Sequence, residues 1–339
     1  MNFIRRLKKP RVLITGGSGF IGSHVADHFM ANGWDVFVLS RGSRPSSPLL
    51  SDLRVIQGRV GDRALLEQIF SLGLDGVIHL ACSTVPNSSN QDKVADAQSN
   101  LVESLELFDC CAKYKIPKLI FASSGGTIYG IPKQLPIAEE SPTNPICSYG
   151  IVKLALEKYL ELYQGLHGLN YVSLRISNPY GPRQNPNGKQ GVISVFAAKM
   201  LQHKPLTLWG SGDTVRDFIH VRDIARIFYL AMLSKEQGVF NAGSGVGISI
   251  NDLIAMMSSE LGVIPNIIRL EARKCDVPAT VLNCIKARHS FAWIPQIPIE
   301  QGIREVGAWL SNEISAKSKS HVVIPQTVIA PATVMPQMA

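Results

Sequence analysis

The chain has 339 residues, 45% of them hydrophobic and 18% charged, enough apolar material for one large core or for a core plus a smaller lobe. No uninterrupted apolar run is long enough to span a bilayer, and the formal net charge of +8 comes without an aromatic-basic motif, so nucleic acid is not expected as a partner. The six cysteines (Cys82, Cys110, Cys111, Cys147, Cys275 and Cys284) show no C-x-x-C or Cys/His metal spacing, which points to reduced thiols, a cytoplasmic location and no metal site.

In chain order, residues 1–10 form a basic stretch with Arg5, Arg6, Lys8 and Lys9, without an apolar signal region, and read as a solvated tail, with contact to an anionic membrane surface as the alternative. Arg-Val-Leu-Ile-Thr at 11–15 is a short apolar run of the kind that makes a buried parallel strand. Gly16, Gly19 and Gly22 follow, overlapping an amphipathic stretch from Phe20 to Ala31. A strand, a glycine turn and a helix start make an anion site. The backbone from Gly16 through Phe20, Ile21 and Gly22 can approach a pyrophosphate, and the free N–H groups and helix dipole favour its charge. Further strands are predicted near 35–39, 53–57, 76–81, 117–123 and 171–176, alternating with helical stretches, which is the doubly wound pattern.

Near the middle of the chain lies Tyr149-Gly-Ile-Val-Lys153. Pro142 and Pro145 break the preceding chain, and Ser148 is the predicted N-cap of a helix from Tyr149 to Tyr163. Positions i and i+4 share a helix face, so the phenol and the ammonium can enter one cleft. A free tyrosine has a pKa near ~10 and is a poor base at neutral pH; a neighbouring ammonium and a positive nicotinamide are expected to lower that value.

Beyond residue 180 the rhythm loosens. Pro179, Pro182, Pro186 and Gly188 mark a long loop, followed by a helix over 192–202, short strands near 206–208 and 239–241, and helices over 250–261 and 299–312. The predicted organisation is an α/β Rossmann-type doubly wound parallel sheet with a smaller interleaved C-terminal substrate lobe. Its parts are a tail over 1–10, a dinucleotide-binding domain over 11–180, a lobe mainly over 181–312 and a flexible tail over 313–339.

Several more segments stand in a telling order: Gly61-Asp62, His79-Leu80-Ala81-Cys82, Asn100, Phe121-Ala-Ser-Ser-Gly-Gly-Thr-Ile-Tyr-Gly130, Arg175-Ile-Ser-Asn-Pro-Tyr-Gly-Pro182, Val215-Arg-Asp-Phe-Ile-His-Val-Arg-Asp223 and Arg273-x-x-Asp276. With the glycine turn and Tyr149/Lys153, they make the chain, from about Arg11 to about Asn312, resemble the extended short-chain dehydrogenase/reductase family. Within it the match is to the nucleotide-sugar epimerases typified by UDP-glucose 4-epimerase. The resemblance implies Asp62 as an adenine contact, Leu80 and Ala81 as backbone lining the cofactor, and Asn100 as support for the active site. It implies a catalytic triad of Ser124, Tyr149 and Lys153, a nucleotide-sugar substrate gripped by Asn178, Arg216, Arg273 and Asp276, and a homodimer. The dimer would pair helices around 91–114 and 148–166; Leu101, Leu105 and Phe108 either supply its apolar stripe or face the sheet.

The chain departs from the family pattern in places. Relatives that bind NAD carry an acid at the end of the second strand, whereas this chain has Ser40, followed by Arg41 with Arg44 nearby, which favours a 2′-phosphate. The cofactor is therefore NAD(P): a tightly held NAD by resemblance, NADP by these residues. Counting back four from Tyr129 gives Gly125, so the catalytic hydroxyl is assigned to Ser124, with Ser123 and Thr127 as neighbours. The same segment lacks the Asp-Glu pair of nucleotide-sugar dehydratases, which argues against dehydration. Thr280, four residues after Asp276, stands where an aromatic would confine the sugar pocket; a small residue admits a 2-N-acetyl group, so UDP-GlcNAc/UDP-GalNAc joins UDP-Glc/UDP-Gal. Relatives acting on UDP-glucuronate carry Thr and Arg where this chain has Asn178 and Asn185; Arg183 is the remaining partner for a carboxylate. The expected reaction is C4 epimerisation through a 4-keto sugar. The alternatives are an NADPH-dependent reductase of a nucleotide-linked 4-keto sugar and a non-catalytic dinucleotide-sensing relative.

Overall fold

The computed structural model describes residues 9–42, 54–188, 190–272 and 277–320. Val-Leu-Ile offers no alternation of apolar and polar faces, and Arg11–Thr15 (β1) lies inside a sheet with Val12, Leu13 and Ile14 fully buried. It is followed by α1 (Phe20–Ala31), β2 (Asp35–Ser40), β3 (Arg54–Gln57), α2 (Arg63–Phe70) and β4 (Gly76–His79). Two single-turn helices come next, α3 (Pro86–Ser89) and α4 (Lys93–Asp96), then a π-helical segment over Ala97–Val102 and α5 (Glu103–Lys113). The sequence continues through β5 (Leu119–Ser124), α6 (Ser148–His167), β6 (Tyr171–Ile176), β7 (Asn178–Tyr180), α7 (Val192–Leu201), β8 (Leu206–Trp209), β9 (Val215–His220), α8 (Val221–Leu233) and β10 (Gly238–Ala242). The remainder comprises β11 (Gly247–Ser249), α9 (Ile250–Leu261), β12 (Ile267–Leu270), β13 (Ala279–Thr280), α10 (Ile285–Phe291) and α11 (Ile299–Ser320).

Seven strands form one parallel sheet in the order β10-β6-β5-β4-β1-β2-β3. This is the doubly wound sheet the sequence predicts. Its order reverses between β1 and β4, which opens a crevice above the carboxyl ends of those strands. One face packs against α1, α8 and α10 through Phe29, Phe228 and Phe291; the other packs against α2, α5 and α6 through Leu66, Phe108 and Leu156. The lobe has its own core from α7, α9 and α11. A small sheet, β11-β9-β13 with β7 beside β9, joins the lobe to the main body. No helix among the described residues is long and apolar enough to cross a membrane.

Two expectations are corrected, and one element is new. The strand near 239–241 is β10, which pairs with β6 as the seventh strand of the main sheet rather than lying in the lobe. Helix α8 escapes the sequence reading because β9 runs into it with no intervening turn: His220 is both the end of the strand and the N-cap, its Nδ1 accepting from the Arg222 amide at 3.3 Å. Helix α11 continues to Ser320 instead of stopping at Asn312. Its last turns have no apolar stripe to betray them, but Ala316, Lys317 and Lys319 are residue types compatible with helix.

The junction of the two sheets is built on Asp217 of β9, which has no exposed surface. Its Oδ1 accepts from the Ser244 amide at 2.7 Å, the Ser244 hydroxyl at 2.7 Å and the Ser177 hydroxyl at 3.3 Å. Its Oδ2 accepts from the Gly245 and Leu282 amides, each at 3.2 Å. Burial pushes the carboxyl pKa up, and the hydrogen bonds to Ser244, Leu282 and Gly245 pull it back. Asp217→Ala would strand these donors in the interior, at about 1–3 kcal/mol for each that stays unsatisfied. The expected loss of stability is at least ~3 kcal/mol by urea unfolding, and a loss under ~1 kcal/mol would show that the junction does not depend on this carboxylate.

Candidate active site

A cleft of about 1000 Å³ lies at the reversal point, walled below by the ends of β1, β4, β5 and β6 and above by the lobe. Gly16, Gly19, Phe20, Ile21 and Gly22 form one end of it. Gly16 has φ +72°, and a Cβ there would stand 2.8 Å from the Ala81 amide nitrogen. At Gly22 a Cβ would stand 2.3 Å from the Gly16 carbonyl oxygen. The turn is thus packed solid beneath and bare above, with Gly19 as a side-chain-free N-cap of α1. That cradle fits a pyrophosphate on a helix N-terminus.

The other predicted cofactor residues divide. Leu80 lines the cleft. Ala81 lies under the turn, its amide donating to Thr15 Oγ1 at 3.3 Å. Ser40 is buried at the end of β2, hydrogen-bonded to Ser18 and accepting from the Gly42 amide at 3.3 Å, outside the cleft wall. Arg41 is exposed, and Arg44 lies outside the described residues. Asp62 caps α2, its Oδ1 accepting from the Leu65 amide at 3.0 Å.

Ser124, Tyr149 and Lys153 meet in the cleft floor. The Ser124 hydroxyl is close enough to the Tyr149 phenol to oppose the rise in its pKa. Lys153 is buried, donates to the Ala122 carbonyl at 2.8 Å, and sits 5.6 Å from the Tyr149 ring centroid. Burial dominates both groups. It drives the tyrosine pKa well above its ordinary value, with only Ser124 opposing, and lowers that of the lysine. Within the chain alone burial outweighs the neighbouring ammonium, so the lowering expected from Lys153 together with a bound nicotinamide is not supplied by Lys153 by itself. The hydroxyls of Ser123 and Thr127, also in the wall, are buried with no partner in the protein.

The helix carrying Tyr149 begins one residue earlier than expected, with Cys147 as N-cap and Ser148 as its first residue. What fixes that start is Asp96, fully buried, which no motif announces. Its Oδ2 accepts from the Ser148 hydroxyl at 2.6 Å, and its Oδ1 accepts from the Thr84 hydroxyl at 2.5 Å and the Asn100 amide at 2.8 Å. Asn100, in the π-helical segment, also accepts from the Ser83 amide at 2.8 Å. The Tyr149 amide donates to Ser89 Oγ at 3.1 Å.

On the lobe side, Asn178 and Arg216 line the cleft; Asn178 donates to the Asp217 carbonyl at 3.0 Å and Arg216 to the Val215 carbonyl at 2.8 Å. Arg273 and Asp276 lie outside the described residues. Thr280 is buried in β13, in register with Arg216 of β9, and is not part of the wall. Arg183 is engaged by Asp27 and is not among the residues that line the cleft. Sequence reasoning missed Gln184, Gln190, Lys199 and Trp209, all in the wall. Lys199 sits in a helix and Trp209 ends an apolar strand, so both look like ordinary structure; the glutamines had only the proline-rich loop as a signal. Among the described residues no cluster of three or more His, Cys, Asp or Glu could hold a metal.

Residues 12–243 match the model of the NAD dependent epimerase/dehydratase family. The fold superimposes on UDP-glucose 4-epimerase from Thermotoga maritima, solved with UDP-glucose, with a TM-score of 0.86 and 35% identity, covering 90% of this chain and 99% of that one. UDP-glucose 4-epimerase from Thermus thermophilus, solved with NAD, gives 0.83 and 34% identity over 89% and 99% of the two chains. UDP-N-acetylglucosamine 4-epimerase from Methanobrevibacter ruminantium, solved with UDP-N-acetylmuramic acid, gives 0.85 and 30% identity over 91% and 100%.

The cradle yields a direct test. Gly22→Ala forces the turn apart at backbone atoms. The variant is expected to retain less NAD than the parent after incubation with it and gel filtration, read by chromatography of nucleotide released on denaturation, while circular dichroism stays parental. Retention equal to the parent would show that the turn is not the binding site.

Proposed function

We propose that this chain, which belongs to the NAD dependent epimerase/dehydratase family, is a nucleotide-sugar 4-epimerase acting on a UDP-hexose and working with NAD. The observation that carries the reading is the meeting of Ser124, Tyr149 and Lys153 on the floor of a cleft whose one end is the glycine cradle and whose other wall holds Asn178 and Arg216. NAD is preferred to NADP because Ser40 is occupied by Ser18 and sits outside the wall, leaving only exposed Arg41 of the described residues to meet a 2′-phosphate. The Thermus thermophilus relative holds NAD.

The cradle residues would hold the pyrophosphate, and Leu80 and Lys153 would lie along the rest of the dinucleotide. When bound, NAD supplies a hydride acceptor that can return the hydride, and its positive charge favours the phenolate. Tyr149 takes the proton of the sugar 4-hydroxyl and gives it back, directly or through Ser124, which lies beside it in the cleft floor. Lys153 is oriented by the Ala122 carbonyl, and its buried ammonium compensates the negative phenolate. Arg216 and Lys199 supply charge for the diphosphate, and Asn178 a polar contact nearby, so the sugar can turn over while the nucleotide stays anchored. No aromatic side chain stands at Thr280, which is small and buried in β13, and this keeps the N-acetylated hexose alongside UDP-glucose as substrate.

Purified protein without added dinucleotide is expected to interconvert UDP-Glc with UDP-Gal, UDP-GlcNAc with UDP-GalNAc, or both, by chromatography of the products. Tyr149→Phe should lower kcat by roughly 10²–10⁴-fold with little change in KM. Stoichiometric NADPH consumption on a nucleotide-linked 4-keto sugar, with no epimer formed, would replace this reading with the reductase. Full biological function in Tyr149→Phe would point instead to a dinucleotide-sensing role.

A homodimer is also proposed, through α6. The residues named for its stripe turn inward: Phe108 is fully buried and Leu101 and Leu105 pack on the core. The exposed apolar row is Ile151, Tyr159, Leu162 and Leu166 on α6, with Val102 on the adjoining π-helical segment. Spaced at helical intervals, it suits a four-helix contact between two copies. Leu162→Glu is expected to yield monomer in analytical ultracentrifugation; an unchanged sedimentation coefficient would exclude this face.

A further inference from the structure

Behind the cleft wall, α1 and the loop joining β7 to α7 meet in a partly buried polar contact that the proposed chemistry does not use. His24 is buried, and burial lowers its pKa to about 4, so it is neutral at physiological pH. Its Nε2 lies 3.0 Å from the Pro182 carbonyl, which can only accept, so the proton sits on Nε2 and His24 donates. One turn further along α1, Asp27 Oδ2 accepts from Arg183 Nη2 at 2.6 Å. The other atoms of the same two side chains, Asp27 Oδ1 and Arg183 Nη1, are buried without a partner, so the contact is one-armed rather than a fork.

Arg183 is also held at φ +68°, a left-handed conformation that a non-glycine residue keeps only when its surroundings enforce it. The next residue is Gln184, which lines the cleft. Gln184 Nε2 donates to the Pro179 carbonyl at 3.2 Å, and its Oε1 accepts from the Ser194 hydroxyl at 2.9 Å. It thereby ties the end of β7 to the first turn of α7. A Cβ at Gly191 would stand 2.5 Å from the Gln184 amide carbon, so the loop closes tightly on this side chain.

We propose that the Asp27–Arg183 ion pair, with His24 on the Pro182 carbonyl, is a positioning contact that clamps the substrate-side loop onto the cofactor-side helix and sets Gln184 in the cleft wall. Arg183 touches neither ligand in this scheme. It acts through Gln184, and it couples the shape of the sugar-nucleotide half of the cleft to the helix that starts at the cradle. The inference rests on reading the two ends of the cleft as dinucleotide and sugar-nucleotide sites.

The test uses the full chain with NAD present and UDP as probe. Asp27→Asn and Arg183→Gln should each weaken UDP binding, by calorimetry, roughly five- to tenfold. The double variant should be no weaker than the weaker single, because both act through one contact. Hydrogen exchange at the backbone amides of 181–188, excluding Pro182 and Pro186, should quicken in each variant. UDP affinity within twofold of the parent in both singles, or an additive double, would overturn the proposal. Should a variant fail to fold, the unmodified protein decides: NAD alone should slow exchange at 181–188, and an unchanged rate counts against the clamp. A parent protein that binds no UDP would sink the reading of the cleft itself, while the exchange measurement would still judge the contact.

Discussion

Asp217 stands where the main parallel sheet ends and the lobe begins, and the cleft exists because that carboxylate draws its surroundings together. It gathers the amides and hydroxyls of Ser177, Ser244, Gly245 and Leu282, which come from separate stretches of chain. Its neighbour in sequence, Arg216, faces the cleft, and its own carbonyl holds Asn178. The spacing between the floor and the lobe wall is thus set by a buried charge with its hydrogen-bonding capacity well used, an arrangement that costs much to disturb because buried donors would be left unsatisfied.

A second buried carboxylate, Asp96, does comparable work for the floor. It orders Thr84, Asn100 and Ser148, and so fixes where α6 begins and which way Tyr149 faces. The environment that orients Tyr149 also desolvates it, which raises the phenol pKa; in the proposed reaction the charge of a bound dinucleotide would offset that. Position and reactivity are therefore separable: the chain supplies the first outright, and the second depends on what is bound. The same logic explains the depressed lysine, which is buried against the Ala122 carbonyl rather than in water.

Much of this was legible in the sequence, and the physical reason is locality. The glycine turn and the Tyr149/Lys153 pair are short patterns whose meaning follows from backbone sterics and helix periodicity, and the strands of the sheet announce themselves as apolar runs. What stayed hidden depends on contacts between distant residues. Nothing in Leu101, Leu105 and Phe108 says which side of a helix meets the sheet; the structure turns them inward and leaves Ile151, Leu162 and Leu166 outside. Ser40 reads as the absence of an acid, but it is a hydroxyl held by Ser18, twenty-two residues away. Thr280 reads as a small gate, and its burial in β13 beside Arg216 of β9 is visible only in the fold. Asp96 and Asp217 look like any acids in a helix or strand until their partners are seen.

The route of the chain has one more consequence. After β6 it leaves the main sheet, builds β7 to α8, and returns to lay β10 against β6. During synthesis the first six strands emerge in order, but the edge of β6 stays open until residue 242 has left the ribosome. An unpaired edge of a parallel sheet is a template for other chains. The nascent protein thus carries that hazard for the whole length of the inserted segment, and a stop or frameshift within it would release a fragment whose sheet cannot be closed by its own sequence.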